Sequence, residues 1–216
     1  MIMKSILLLI SLFTILVAAA QDKPMGVFSN HADVGNPLVK GSTVYDKKNK
    51  SYTLKGGGYN IWFNRDEFQF AYKKLKGDFI LTANFELLDT AKEGHRKTGW
   101  MIRESLADTA VHISAVAHGD GLTVLQWRVK PGMNMRDPED EIFATGKNYR
   151  VIQLERSGNK ISMRAAEKEG SPFIVIGEHE MKNLPDEVLA GVFVCSHNPA
   201  VAEQARIWNV RIDNKK

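Results

Sequence analysis

The feature that most narrows the fold is the absence of any sustained helical apolar period beyond residue 20, while short β-rich runs recur to the end of the chain. Strands are expected over residues 51–55, 68–72, 78–88, 98–103, 111–117, 122–129, 150–156, 160–166, 173–180, 188–196 and 204–212. Many alternate with period two. Phe79, Leu81, Ala83 and Phe85 fall on one face of their run, and Ile80, Thr82, Asn84 and Glu86 on the other. Turn residues punctuate the runs: Lys47-Lys48-Asn49-Lys50, Gly119-Asp120-Gly121 and Ser157-Gly158-Asn159 supply the Gly and Asn that hairpins need. Strands at this spacing imply an all-β, antiparallel two-sheet sandwich. No Pro- or Gly-rich linker and no internal repeat divides it, so residues 21–216 are expected as a single domain. The longest irregular stretch, residues 130–146, holds Pro131, Pro138 and the acidic run Asp137 to Glu141. A loop of that length is either a binding loop or a solvated excursion.

Residues 1–20 belong to a different category. Lys4, an apolar run from Ile6 to Val17, and Ala18-Ala19-Ala20 before Gln21 are the parts of a cleavable signal peptide. The run is short for a bilayer span, so no stable membrane insertion is expected after cleavage. The protein is therefore expected to be secreted or periplasmic. Cys195, the only cysteine, cannot form an internal disulfide, and its apolar run Val192-Phe193-Val194 implies a buried, inert thiol. Across 216 residues, 29 Lys and Arg stand against 25 Asp and Glu, with 44% apolar residues. That balance fits a packed core rather than disorder. The basic residues are scattered, which excludes a nucleic-acid footprint.

Several strings carry a family resemblance: Asp33-Val34-Gly35, the segment GGGYNIWFNRDEFQFAY (56–72), KTGWMIRES (97–105), Leu125-Gln126-Trp127-Arg128 and Ser196-His197-Asn198. Over residues 27–213 the chain resembles the concanavalin-A-like (laminin-G-like) β-sandwich domain of secreted bacterial proteins. Its branch has no assigned function and is often attached to carbohydrate-active enzymes or TolB-like propellers. The resemblance implies a two-sheet jelly roll with a curved face, and glycan binding as the commonest role of relatives.

Strand parity then picks out side chains. If Trp100, Ile102, Leu125 and Trp127 face the core, Arg103, Gln126 and Arg128 share the opposite face, joined by His112 and Ser114. Planar donors and acceptors suit sugar hydroxyls, and Arg suits a carboxylate or sulfate. The alternative is a solvated face of cross-strand polar pairs. Trp62 is either a flat platform for a sugar ring or a core plug. Asp66 either accepts from ligand hydroxyls or fixes its own turn. Glu104, beside Arg103 in sequence, is a further candidate ligand contact. The family match makes His197 and Asn198, at a strand exit, further contacts; alternatively Asn198 sets a turn before Pro199.

No catalytic residue is assigned. The E-x-D-x-x-E and E-x-D-x-E spacings of related glucanases are missing, and so is a G-x-S-x-G elbow. Residues 137–141 read as solvated charge, and Arg103 would lower the pKa of Glu104, the wrong direction for a general acid. The six histidines show no metal-binding spacing. Calcium, held by some laminin-G-like relatives, would have Asp33, Asp46 or Asp120 as ligands here. The expected function is non-catalytic carbohydrate binding outside the cytoplasm. A carbohydrate-active hydrolase or lyase is the first alternative, and a module docking on an envelope protein partner is the second.

Overall fold

The computed structural model describes residues 25–88 and 93–215; the leader assigned to residues 1–20 lies outside them. Two seven-stranded sheets pack face to face, with antiparallel neighbours throughout. The first sheet runs β1 (Asn30–Val34), β4 (Phe68–Lys76), β13 (Glu187–Cys195), β6 (Lys97–Arg103), β7 (His112–His118), β8 (Thr123–Arg128), β9 (Glu141–Phe143). The second runs β12 (Ile174–Glu180), β11 (Lys160–Ala166), β10 (Val151–Ser157), β5 (Phe79–Leu87), β14 (Glu203–Asn214), β3 (Ser51–Gly56), β2 (Ser42–Asp46). This is the antiparallel two-sheet sandwich expected from the strand pattern, and the jelly roll that the family resemblance implies. Every expected strand is present, although β4 and β14 run further than their apolar patterns. The turn at 158–159 joins paired Ser157 and Lys160, with Gly158 at φ 60°.

Three strands had no sequence signal: β1, β2 and β9. All three are outermost in their sheets, and β9 is three residues long within the stretch expected as loop. Edge strands bury little, so no clean alternation marks them.

The main core lies between the sheets. Trp100, Ile102, Ile113, Ala115 and Leu125 meet Leu81, Ala83, Ile152, Leu154, Met163 and Ile207, all completely buried. Burial of each large side chain contributes roughly 1.5–3 kcal/mol. Trp100 also ties the sheets by a polar bond, its Nε1 donating to the Ile152 carbonyl at 3.2 Å. The parity expected for β5 holds: Phe79, Leu81, Ala83 and Phe85 point inward.

A second core occupies the outer face of the first sheet. Val34, Ile61, Phe68, Phe70, Met101, Val116, Val124, Phe193 and Cys195 pack there, fully buried. Phe68 and Phe70 are core residues as expected, but of this second cluster. It exists because residues 57–67 lie across the sheet, with Ile61 and Asp66 closing a bridge within that crossing. The cover explains why β6 and β8 are buried along their whole length. It also seals Cys195, whose thiol burial pushes up to about 11.

Candidate functional site

Antiparallel register sets the outer face of the first sheet into rows. Arg103, His112 and Arg128 form one row, and Met101, Ser114, Gln126 and Glu141 the next. Lys97 and His118 pair in a row at the far end. The cover crosses these rows unevenly, and the difference decides which residues meet solvent.

The first row is sealed. Asp66 descends from the cover and accepts both ends of the Arg128 guanidinium, Nη2 to Oδ1 at 2.7 Å and Nη1 to Oδ2 at 2.9 Å. Arg103 Nη1 lies 3.6 Å from the same carboxylate and His112 Nε2 3.8 Å, and all four residues have no exposed surface. Burial pushes the Asp66 carboxyl up, and the facing guanidiniums push it back down. Burial lowers Arg103 to about 10, which leaves it cationic at neutral pH, while His112 is held neutral by burial and the neighbouring arginines. Backbone carbonyls take the remaining donors. Arg103 donates to Ser105 and Ala107, and Arg128 to Met133, Ala110, Trp62 and Phe63.

Four sequence-chosen contacts are thereby corrected. Asp66, Arg103, His112 and Arg128 do come together, but as an internal ion-pair cluster closed to any ligand. The cover supplies the physical reason. Their work is indirect: Arg128 holds the carbonyls of Trp62 and Phe63, and Gln126 Nε2 holds that of Ile61 at 2.8 Å. Glu104 is exposed beyond the end of β6 and does not line the groove described next. Asn198 is also exposed, and its Oδ1 accepts from Ala200 N at 3.0 Å, so it takes the turn role.

The other end of the face is open. A groove of about 340 Å³ runs beside Lys97, His118, Gln126, Glu141 and Phe143. Asn60 and Trp62 wall it from the cover, His95 and His197 from the sandwich end, and Asp137 from the long loop. Trp62, Gln126 and His197 are the sequence-chosen residues that line it; Gln126 offers only 1% of its surface. Lys97 and His118, six residues from Arg103 and His112, obey the same alternation, the one sequence signal that marks them. Of the acidic run expected as solvated charge, Asp137 is exposed, but Glu141 is half-buried in β9, which corrects the reading there. Glu141 pairs with Gln126 through β9, and that pairing places its carboxyl at the groove.

Groove electrostatics are close to balanced. Lys97 is nearly buried and donates to Asn60 Oδ1 at 2.5 Å, and burial lowers its pKa. His118 falls to about 3 through burial and the nearby Lys97, so its ring is neutral. His197 is lowered for the same two reasons. Glu141 rises to about 7, because of burial first and the Asp137 carboxyl second. This shift sets a pH dependence. A carboxyl whose folded pKa exceeds its unfolded value stabilises the fold fully below the unfolded value, and that contribution disappears as pH rises through about 7. Glu141→Gln is therefore expected to gain stability relative to the parent between pH 5 and pH 8.5. Paired thermal melts at the two pH values check this, and a constant difference would contradict it.

Among the described residues, no group of three metal-ligating side chains converges. The three candidate calcium carboxylates are engaged in nearby backbone bonds. Asp33 accepts from Gly41 N, Asp46 from Lys48 and Asn49 N, and Asp120 from Leu122 N.

No sequence-family profile and no curated protein matches the chain. Solved structures do. A functionally unknown protein from Saccharomyces cerevisiae aligns over 84% of this chain and all of its own, at 9% identity and TM-score 0.61. Carbohydrate-binding module CBM66 from Bacillus subtilis aligns over 87% of this chain and 98% of its own, at 12% identity and TM-score 0.51. Lectin I-B4 from Griffonia simplicifolia aligns over 87% of this chain and 93% of its own, at 8% identity and TM-score 0.51. The chain thus has the concanavalin-A-like jelly-roll fold.

Proposed function

We propose that this chain is a secreted or periplasmic, non-catalytic protein that binds a neutral glycan in the groove walled by Trp62. One observation carries the proposal: a part-exposed indole stands in an open groove together with the carboxyl groups of Asp137 and Glu141. Sugar rings need that combination, an apolar face for stacking and directed partners for hydroxyls. The lectin and carbohydrate-binding module that share the fold favour the same ligand class. The arginines that would have favoured an acidic glycan are consumed by Asp66 and by carbonyls. That leaves Lys97 as the groove's cation against two adjacent carboxyls, a balance suited to a neutral ligand. Export rests on the leader at residues 1–20.

The test is a panel of neutral and acidic polysaccharides, followed by calorimetry on the best binder. Trp62→Ala is expected to weaken binding about 10- to 100-fold while the thermal midpoint stays close to the parent's. Binding equal to the parent's, or an empty panel, rejects the assignment.

The enzymatic alternative is favoured by one observation, the raised carboxyl of Glu141 beside Asp137 and neutral His118. It requires turnover of a glycan that Glu141→Gln abolishes, with Glu141 replacing Glu104 as the acid.

A further inference from the structure

A second pocket lies elsewhere, against the second sheet, and measures about 450 Å³. It opens where β14 carries a bulge. Trp208 pairs with Asn84 and Arg211 with Thr82, so three steps on β14 match two on β5. Asn209 takes φ 53° inside this irregularity, and Asn209, Val210 and Arg211 all line the pocket. Bulges of this kind re-aim side chains and interrupt the ladder. A loop formed by residues 168–173 makes another wall.

Asn84 lies in the lining, 5% exposed. The neighbouring Thr82 hydroxyl accepts from Gln153 Nε2 at 3.2 Å, whereas the Asn84 carboxamide makes no hydrogen bond to any described residue. The amide keeps open surface at the pocket and is free to bond a ligand there. Lys50, Lys168 and Arg211 stand exposed around the pocket, and none forms an ion pair with a described residue. The lining's acid, Glu169, accepts from Asn209 Nδ2 at 2.9 Å. Tyr45 and the 40%-exposed Phe173 add flat apolar surface.

We infer that this pocket binds a small single-ring organic carboxylate. The rim cations meet its charge, Tyr45 and Phe173 its ring, and the Asn84 carboxamide its polar edge. Three rim cations against Glu169 make this lining net positive, unlike the near-balanced Trp62 groove, so the two sites call for different ligands.

Amide-detected NMR titration of the full chain provides the test. Sodium D-glucuronate and sodium benzoate are the anionic probes, separating a sugar acid from an aromatic acid. D-glucose and benzamide are their neutral counterparts. At least one anion is expected to shift the Gly170 amide and the Asn84 side-chain amide with millimolar affinity, and neither neutral probe should do so. Arg211→Gln, on the exposed rim, should weaken the response at least fivefold, and Asn84→Val should do the same. Trp62→Ala should leave it unchanged, so this inference and the glycan assignment fail separately. Absence of shifts with both anions, equal shifts with the neutral probes, or an undiminished response in Arg211→Gln overturns it.

Discussion

Asp66→Asn is expected to destabilise the protein by about 3–5 kcal/mol, the usual cost of leaving a buried ion cluster without one partner. The substitution keeps the side chain's shape, so the loss reports charge. Arg128 would keep at most a neutral acceptor in place of the carboxylate it now meets at 2.7 and 2.9 Å, and Arg103 would face it with no anion between them. For a chain of this size the thermal midpoint should fall by roughly 10 °C or more. Chemical denaturation of Asp66→Asn, Arg103→Met and the double variant checks the source of the loss. Removing the second charge should restore part of the stability, giving a coupling of about 1 kcal/mol or more. A single variant within 1 kcal/mol of the parent would show that the cluster carries no such weight.

Gly58→Ala should be nearly as costly, and for a different reason. Gly58 adopts φ 132° where the cover begins its crossing, and a Cβ there would collide with the Glu67 backbone carbonyl. Neither group has room to retreat. The Gly58 carbonyl is held by the Ser196 hydroxyl at 3.2 Å, and Glu67 N donates to the Asn60 carbonyl at 2.9 Å. The expected loss is about 3 kcal/mol. Because Asn60 and Trp62 ride on the displaced segment, glycan affinity should fall even at temperatures where the variant remains folded. Differential scanning calorimetry alongside binding at 15 °C separates the two effects. A midpoint within 2 °C of the parent's, with affinity intact, would mean the crossing is far more pliable than its packing implies.

Much of the architecture was legible because period-two burial is written directly into residues such as Phe79, Leu81, Ala83 and Phe85. The same parity correctly placed Arg103, Gln126 and Arg128 on one face. It could not say what lies above that face. The partner of both arginines is Asp66, 62 positions from Arg128, and nothing local in Asn64-Arg65-Asp66-Glu67 reveals a crossing segment. Burial of an entire sheet face by a loop leaves only a faint trace, the apolar Met101, Val116 and Val124 that share the face with Arg103, Gln126 and Arg128. Glu141 was hidden by a different limit. A three-residue strand has too few alternations to be seen, so its carboxyl could not be assigned to the groove.

The sheet holds its cover largely by main-chain oxygens. The carbonyls of Gly58, Ile61, Trp62 and Phe63 receive Ser196, Gln126 and Arg128, while the rings of Tyr59 and Phe63 stack outside, exposed. Attachment and recognition are thus written in separate alphabets. Substitutions in the outward letters would alter what this surface meets while the mooring beneath stays unedited.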